Sequence, residues 1–121
     1  PAYCKEQGIG FISFSALAQG LLTSRYLNGV PSGSRMSSGG SLHPDKLSPD
    51  LLEYLNRLNG IALERGDSLA SMSLAWVLAQ QGVTSVLVGA RTPEQFKESL
   101  SCIDLSLRES FELPLYPHKV F

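Results

Sequence analysis

Charge is scarce in this chain. Asp, Glu, Lys and Arg make up 17% of its 121 residues, against about 25% in an ordinary globular protein. Ten Lys and Arg face eleven Asp and Glu, a net charge of −1. That balance leaves no basic face for a phosphate backbone and excludes a nucleic-acid binder. Cysteine is as sparse: Cys4 and Cys102 lie far apart. They read as two reduced thiols in a cytosolic protein, not a disulfide framework. Two Cys and two His without short spacing predict no metal site. No apolar run approaches the roughly 20 residues of a membrane helix, so no membrane partner is expected. The opening residues 1–6 carry no apolar stretch of a secretory leader, and the expected location is the cytoplasm.

Apolar residues make up 43% of the chain, enough for a packed core in one domain. Residues 9–15, Ile-Gly-Phe-Ile-Ser-Phe-Ser, form a nearly continuous run of β-formers. Such a run predicts a strand buried on both faces, as in parallel sheets. Residues 2–7 before it read as the end of a helix. A polar stretch from Ser24 to about Leu47 is rich in Gly and Pro. Loops of that length are usually lids or lack order.

Ser48-Pro49-Asp50 is a helix start: a capping hydroxyl, a proline at the first helical position and an acid in the first turn. Leu51, Leu55, Leu58 and Ala62 follow at helical spacing. Gly66 stops this helix and Ser68 restarts one that runs to Gln81, with Trp76 in the core. Residues 83–88 form a second buried strand. Thr92-Pro93-Glu94-Gln95 opens a last helix carrying Phe96, Leu100 and Ile103. This order predicts a parallel α/β unit with a right-handed crossover. Residues 1–111 read as the structured part and 112–121 as an irregular tail.

In parallel sheets, ligands bind beyond the carboxyl ends of the strands. Two segments qualify, residues 15–20 and 89–95. In the second, Gly89 lets a ligand approach the backbone. The helix start at Thr92 favours a phosphate, and Arg91 adds a planar cationic fork. Thr92 with Gln95 is also a capping box that would serve any helix. Arg25 and Arg35, read alone, are surface charges of the long loop. His43 and His118 have no acid or nucleophile beside them.

Residues 14–23, Phe-Ser-Ala-Leu-Ala-Gln-Gly-Leu-Leu-Thr, resemble the Ser-Pro-Leu-Ala-x-Gly-Leu-Leu-Thr segment of aldo-keto reductases. Residues 28–35, Asn-Gly-Val-Pro-Ser-Gly-Ser-Arg, resemble the loop that follows it in that family. Leu74-Ala75-Trp76 is similar to its Leu-Ala-Trp helix, and residues 82–91 with Gln95 and Glu98 to its last strand and cofactor helix. The segments fall in family order over about residues 8–107, closest in flavour to bacterial glyceraldehyde 3-phosphate reductases and potassium-channel β subunits. Ala16 departs from the family's Pro, and Ser99 from its Asn.

The resemblance implies a (β/α)₈ TIM barrel, of which a chain of this length can be only the carboxy-terminal portion, an incomplete barrel, since a whole one takes about 250 residues. It implies NADP(H) as cofactor. Ser15, Leu17, Ala18 and Gln19 would line its pyrophosphate side, with Arg25 where the family has Lys. Arg35, Gly89, Arg91, Gln95 and Glu98 would hold the adenosine and its 2′-phosphate. The family's catalytic Asp, Tyr, Lys and His come from earlier strands, and none of their motifs occurs here, so no catalytic residue is assigned. The implied function is the cofactor-binding portion of a carbonyl reductase. A non-catalytic nucleotide-binding or interaction module, or an inactive remnant, stands as the alternative. Two strands cannot close a barrel. The missing amino-terminal part, a second copy or a rearranged fold is expected to cover their inner faces and edges, and the scarcity of charge favours self-association.

Overall fold

The computed structural model describes residues 1–34, 36–39, 42–106 and 113–114. A short helix α1 (Ala2–Glu6) leads into strand β1 (Ile12–Ser13). Helices α2 (Pro49–Glu64) and α3 (Leu69–Leu78) follow, then strand β2 (Ser85–Val86). Helices α4 (Pro93–Leu100) and α5 (Cys102–Ser106) close the described order. The strands pair in parallel, with Ile12 opposite Ser85 and Ser13 opposite Val86. The Thr84 and Leu87 N–H groups donate to the Phe11 and Ser13 carbonyls, each at 2.8 Å.

Local chemistry sets the helix ends. Ser48 Oγ accepts from the Leu51 N–H at 3.2 Å, and Ser68 Oγ from the Ser71 N–H at 3.1 Å. Each cap satisfies one of the donors a helix start leaves over. Gly66 takes the left-handed φ of 76° that ends α2 without a Cβ penalty. Leu51, Leu55, Leu58 and Ala62 are buried along one stripe of α2. Helix α3 is buried from Leu69 through Ala75 and touches α2, α4, α5 and β2. It is the post around which these four elements gather.

Three expectations need correction. The strands are shorter than residues 9–15 and 83–88, and they are covered on one face only, where Ser13 and Val86 are half-buried. Val86 packs on the Leu74–Ala75–Cys102 cluster. The opposite face shows Ile12, Phe14 and Leu87 at 59%, 76% and 61% exposure, because no further strand or helix lies over it among the described residues. Trp76 is half-buried and lines an apolar groove instead of the core. Helix α3 ends at Leu78, with Ala79 as its last capping residue, short of Gln81.

The long polar segment is more ordered than its composition suggests. Among its described residues lie two short 3₁₀ turns, at Ser24–Tyr26 and Pro44–Lys46. Tyr26, Met36 and Leu42 are buried against Leu51 and Leu55 of α2. Three well-spaced apolar anchors thus hold the loop down. Of the expected irregular tail, only Leu113 and Pro114 are described, outside any helix or strand. The rest of it lies outside the described residues. No helix among the described residues is long and apolar enough to cross a membrane.

Candidate functional site

Beyond the carboxyl ends of β1 and β2 the chain opens a cleft of about 750 Å³. The exit from β1 contributes Ser15, Ala16, Leu17, Gln19 and Gly20, and the following turn Thr23, Ser24 and Arg25. Residues 31–34 of the long loop form another wall. The exit from β2 supplies Leu87, Val88, Gly89 and Arg91, and α4 supplies Gln95, Glu98 and Ser99. Ala70 of α3 completes the lining.

The β1 exit is bent by an unusual backbone. Ser15, Ala18 and Gln19 take left-handed φ of 55°, 48° and 58°. A side chain in that region costs about 1–2 kcal/mol per residue. Three such residues within five positions let the chain double back, so that Leu17 and Gln19 line the cleft while Ala18 packs on the core. Thr23 fixes the next turn: its Oγ1 donates to the Gly20 carbonyl at 2.7 Å and accepts from the Arg25 N–H at 3.2 Å. Arg25 is thereby held half-buried at the cleft wall.

The β2 exit leads straight into a capped helix. Thr92 Oγ1 accepts from the Gln95 N–H at 3.3 Å, and Gln95 Oε1 accepts from the Arg91 N–H at 3.0 Å. Gln95 thus reaches past the Thr92 N–H of the expected capping box to the Arg91 N–H, so the helix cap and the candidate anion site are one structure. The cap pins the backbone of Arg91, whose guanidinium sits on an exposed residue of the lining. The Gln95 oxygen is engaged, which leaves its amide nitrogen as the group able to meet a ligand.

Of the ten residues picked out from sequence, the structure gathers eight in this cleft: Ser15, Leu17, Gln19, Arg25, Gly89, Arg91, Gln95 and Glu98. Ala18 does not line it, because its left-handed turn directs it to the core cluster. Arg35 lies outside the described residues. Thr23, Ser24, Ser32 and Ser34 line the cleft and were not singled out. Their adjacency to Arg25 and Arg35 was the available signal.

Among the described residues, the ionisable side chains of the lining are two cations, Arg25 and Arg91, and one anion, Glu98. With the hydroxyls of residues 15, 23, 24 and 32 they form a set suited to an extended, phosphate-bearing ligand. No Tyr, His, Lys or Asp lines the cleft among the described residues. Tyr3 is exposed, Tyr26 is buried in the core, and Tyr54 lies in the apolar groove of about 290 Å³ that also holds Trp76. Burial raises the Tyr54 phenol above its ordinary value, opposed by the nearby Arg57 charge. Burial also raises the Cys102 thiol. No cluster of metal-ligating residues occurs among the described residues.

A family model, the Aldo/keto reductase family, matches residues 2–111. The chain belongs to the aldo/keto reductase family. It is 44% identical over 104 residues to an L-glyceraldehyde 3-phosphate reductase of Escherichia coli K12, covering 83% of this chain and 30% of that protein. It is 36% identical over 108 residues to a probable voltage-gated potassium channel subunit beta of Arabidopsis thaliana, covering 87% and 33%. Its fold is similar to that of the glycerol dehydrogenase AKR11B4 from Gluconobacter oxydans, with a TM-score of 0.62 and 22% identity, over 97% of this chain and 39% of that one. The chain thus spans about a third of the length of the curated aldo/keto reductase relatives it matches.

Proposed function

We propose that this chain is the NADP(H)-binding portion of an aldo/keto reductase. The observation that carries the reading is the cleft at the two strand exits, which draws Arg25 and Arg91 into one lining with a bent, hydroxyl-rich backbone. Ser15, Leu17, Gln19 and Arg25 line the pyrophosphate side, with Ala18 acting through its backbone turn. Gly89, Arg91, Gln95 and Glu98, with Arg35, hold the adenosine and its 2′-phosphate. When bound, the cofactor supplies the hydride that reduces a carbonyl to an alcohol. This chain's part is to grip and orient it: the cations neutralise phosphate charge, and the capped start of α4 keeps Arg91 in place.

The proton that completes such a reduction comes from groups outside this cleft. The exposed apolar face of Ile12, Phe14 and Leu87 fits closure against the remainder of a barrel, or against a second copy. The similarity to channel β subunits supports a second reading, in which the chain binds nucleotide without turnover. Calorimetric titration tests the shared core of both. The chain should bind NADPH saturably and more tightly than NADH, and absence of heat at millimolar NADPH refutes the proposal. Carbonyl reduction by the purified chain alone would refute the assignment of the proton donor elsewhere.

A further inference from the structure

Helix α4 brings Gln95, Glu98 and Ser99 to the cleft, yet little apolar packing holds it. Phe96 and Leu100 are 51% and 46% exposed, and Ser99 is the helix's one buried residue. The anchoring is polar at both ends. The Thr92–Gln95 cap secures the start. At the other end two hydroxyls converge on one carbonyl, with a third behind them. Ser71, 2% exposed on α3, donates from Oγ to the Glu98 carbonyl at 2.8 Å. Ser101 Oγ reaches the same carbonyl at 2.6 Å and lies 2.7 Å from Ser71 Oγ. Ser68 Oγ, the α3 cap, stands 2.8 Å from Ser71 Oγ. The Glu98 carbonyl is among the last four of α4, the groups a helix end leaves short of donors.

We propose that Ser71 is a positioning residue for the adenosine wall of the cleft: through the Glu98 carbonyl it sets where Glu98 and Ser99 stand. This inference rests on the cofactor reading above. The contact crosses 27 residues of sequence and ties the buried post α3 to the lightly packed α4. A buried hydroxyl at such a junction fixes one register between two helices, because displacement leaves a donor and an acceptor unpaired.

The probe is adenosine 2′,5′-bisphosphate, titrated calorimetrically into the whole chain. Ser71→Ala should weaken its binding five-fold or more, and Ser71→Thr, which keeps the hydroxyl, should restore most of it. Ser101→Ala, at an exposed position, should weaken it in the same direction and serves if Ser71→Ala does not fold. On a Glu98→Ala background, Ser71→Ala should cost no more than two-fold, since its effect runs through Glu98. Undiminished binding in Ser71→Ala, or full additivity with Glu98→Ala, overturns the proposal. If the unmodified chain does not bind the probe at all, the cofactor reading itself fails and takes this inference with it.

Discussion

Replacing Arg91 with alanine removes one of the two cations that line the cleft among the described residues and leaves the helix cap intact, because the cap uses the Arg91 backbone N–H and not its side chain. A charge-assisted hydrogen bond contributes about 1.5–3 kcal/mol. Arg91 is exposed, so solvent screening favours the lower end of that range. At about 1.4 kcal/mol per factor of ten, Arg91→Ala should weaken NADPH binding about ten-fold. NADH lacks the 2′-phosphate, so its affinity should change little. Parallel calorimetric titrations of both cofactors at low salt read this ratio. Equal losses for NADPH and NADH would refute the role of Arg91 as a 2′-phosphate contact. Losses accompanied by a lowered urea midpoint would refute the claim that only the guanidinium matters.

Three further outcomes follow from the packing. Leu58 is 2% exposed in the cluster with Ala62, Leu69 and Met72, and Leu58→Ala should cost about 2–5 kcal/mol in urea unfolding. Gly82 has φ of 89°, and a Cβ there would lie 2.2 Å from the Pro1 carbonyl oxygen. Gly82→Ala should therefore unseat α1 and lower stability by about 1–3 kcal/mol, read as faster hydrogen exchange at residues 2–6. Burial raises the Cys102 thiol above its ordinary 9.0 and, against the lowering pull of Arg57, the Tyr54 phenol above its ordinary 10.0. The folded chain thus keeps these protons to higher pH than the unfolded chain. That stability is whole below pH 9.0 and is lost as pH rises through the folded values. Urea midpoints that stay flat or rise across this alkaline range would contradict the burial of both groups.

Much of the site was legible because its chemistry is local. The capping hydroxyls of Ser48, Ser68 and Thr92 act on N–H groups three residues away, and that spacing is written in the chain. The strand exits could be placed from two apolar runs followed by Gly and polar residues. What stayed hidden depends on distant partners. Ile12 and Phe14 read as buried strand residues, but burial requires a covering layer that the described residues do not provide. Trp76 has core spacing, yet is half-buried and lines an apolar groove. The left-handed turn at Ala18 sends that residue away from the cleft, which no propensity of Ala predicts. The link from Ser71 to Ser101 spans 30 positions and carries no pattern in sequence.

The central claim is that the two strand exits form one cofactor-gripping cleft. Amide chemical-shift mapping during NADPH titration tests it most directly. The account predicts saturable shifts at residues 15–25 and 89–99, with little change around Trp76 and Tyr54. Shifts confined to the Trp76 groove, or no saturable shifts at either strand exit, would contradict it.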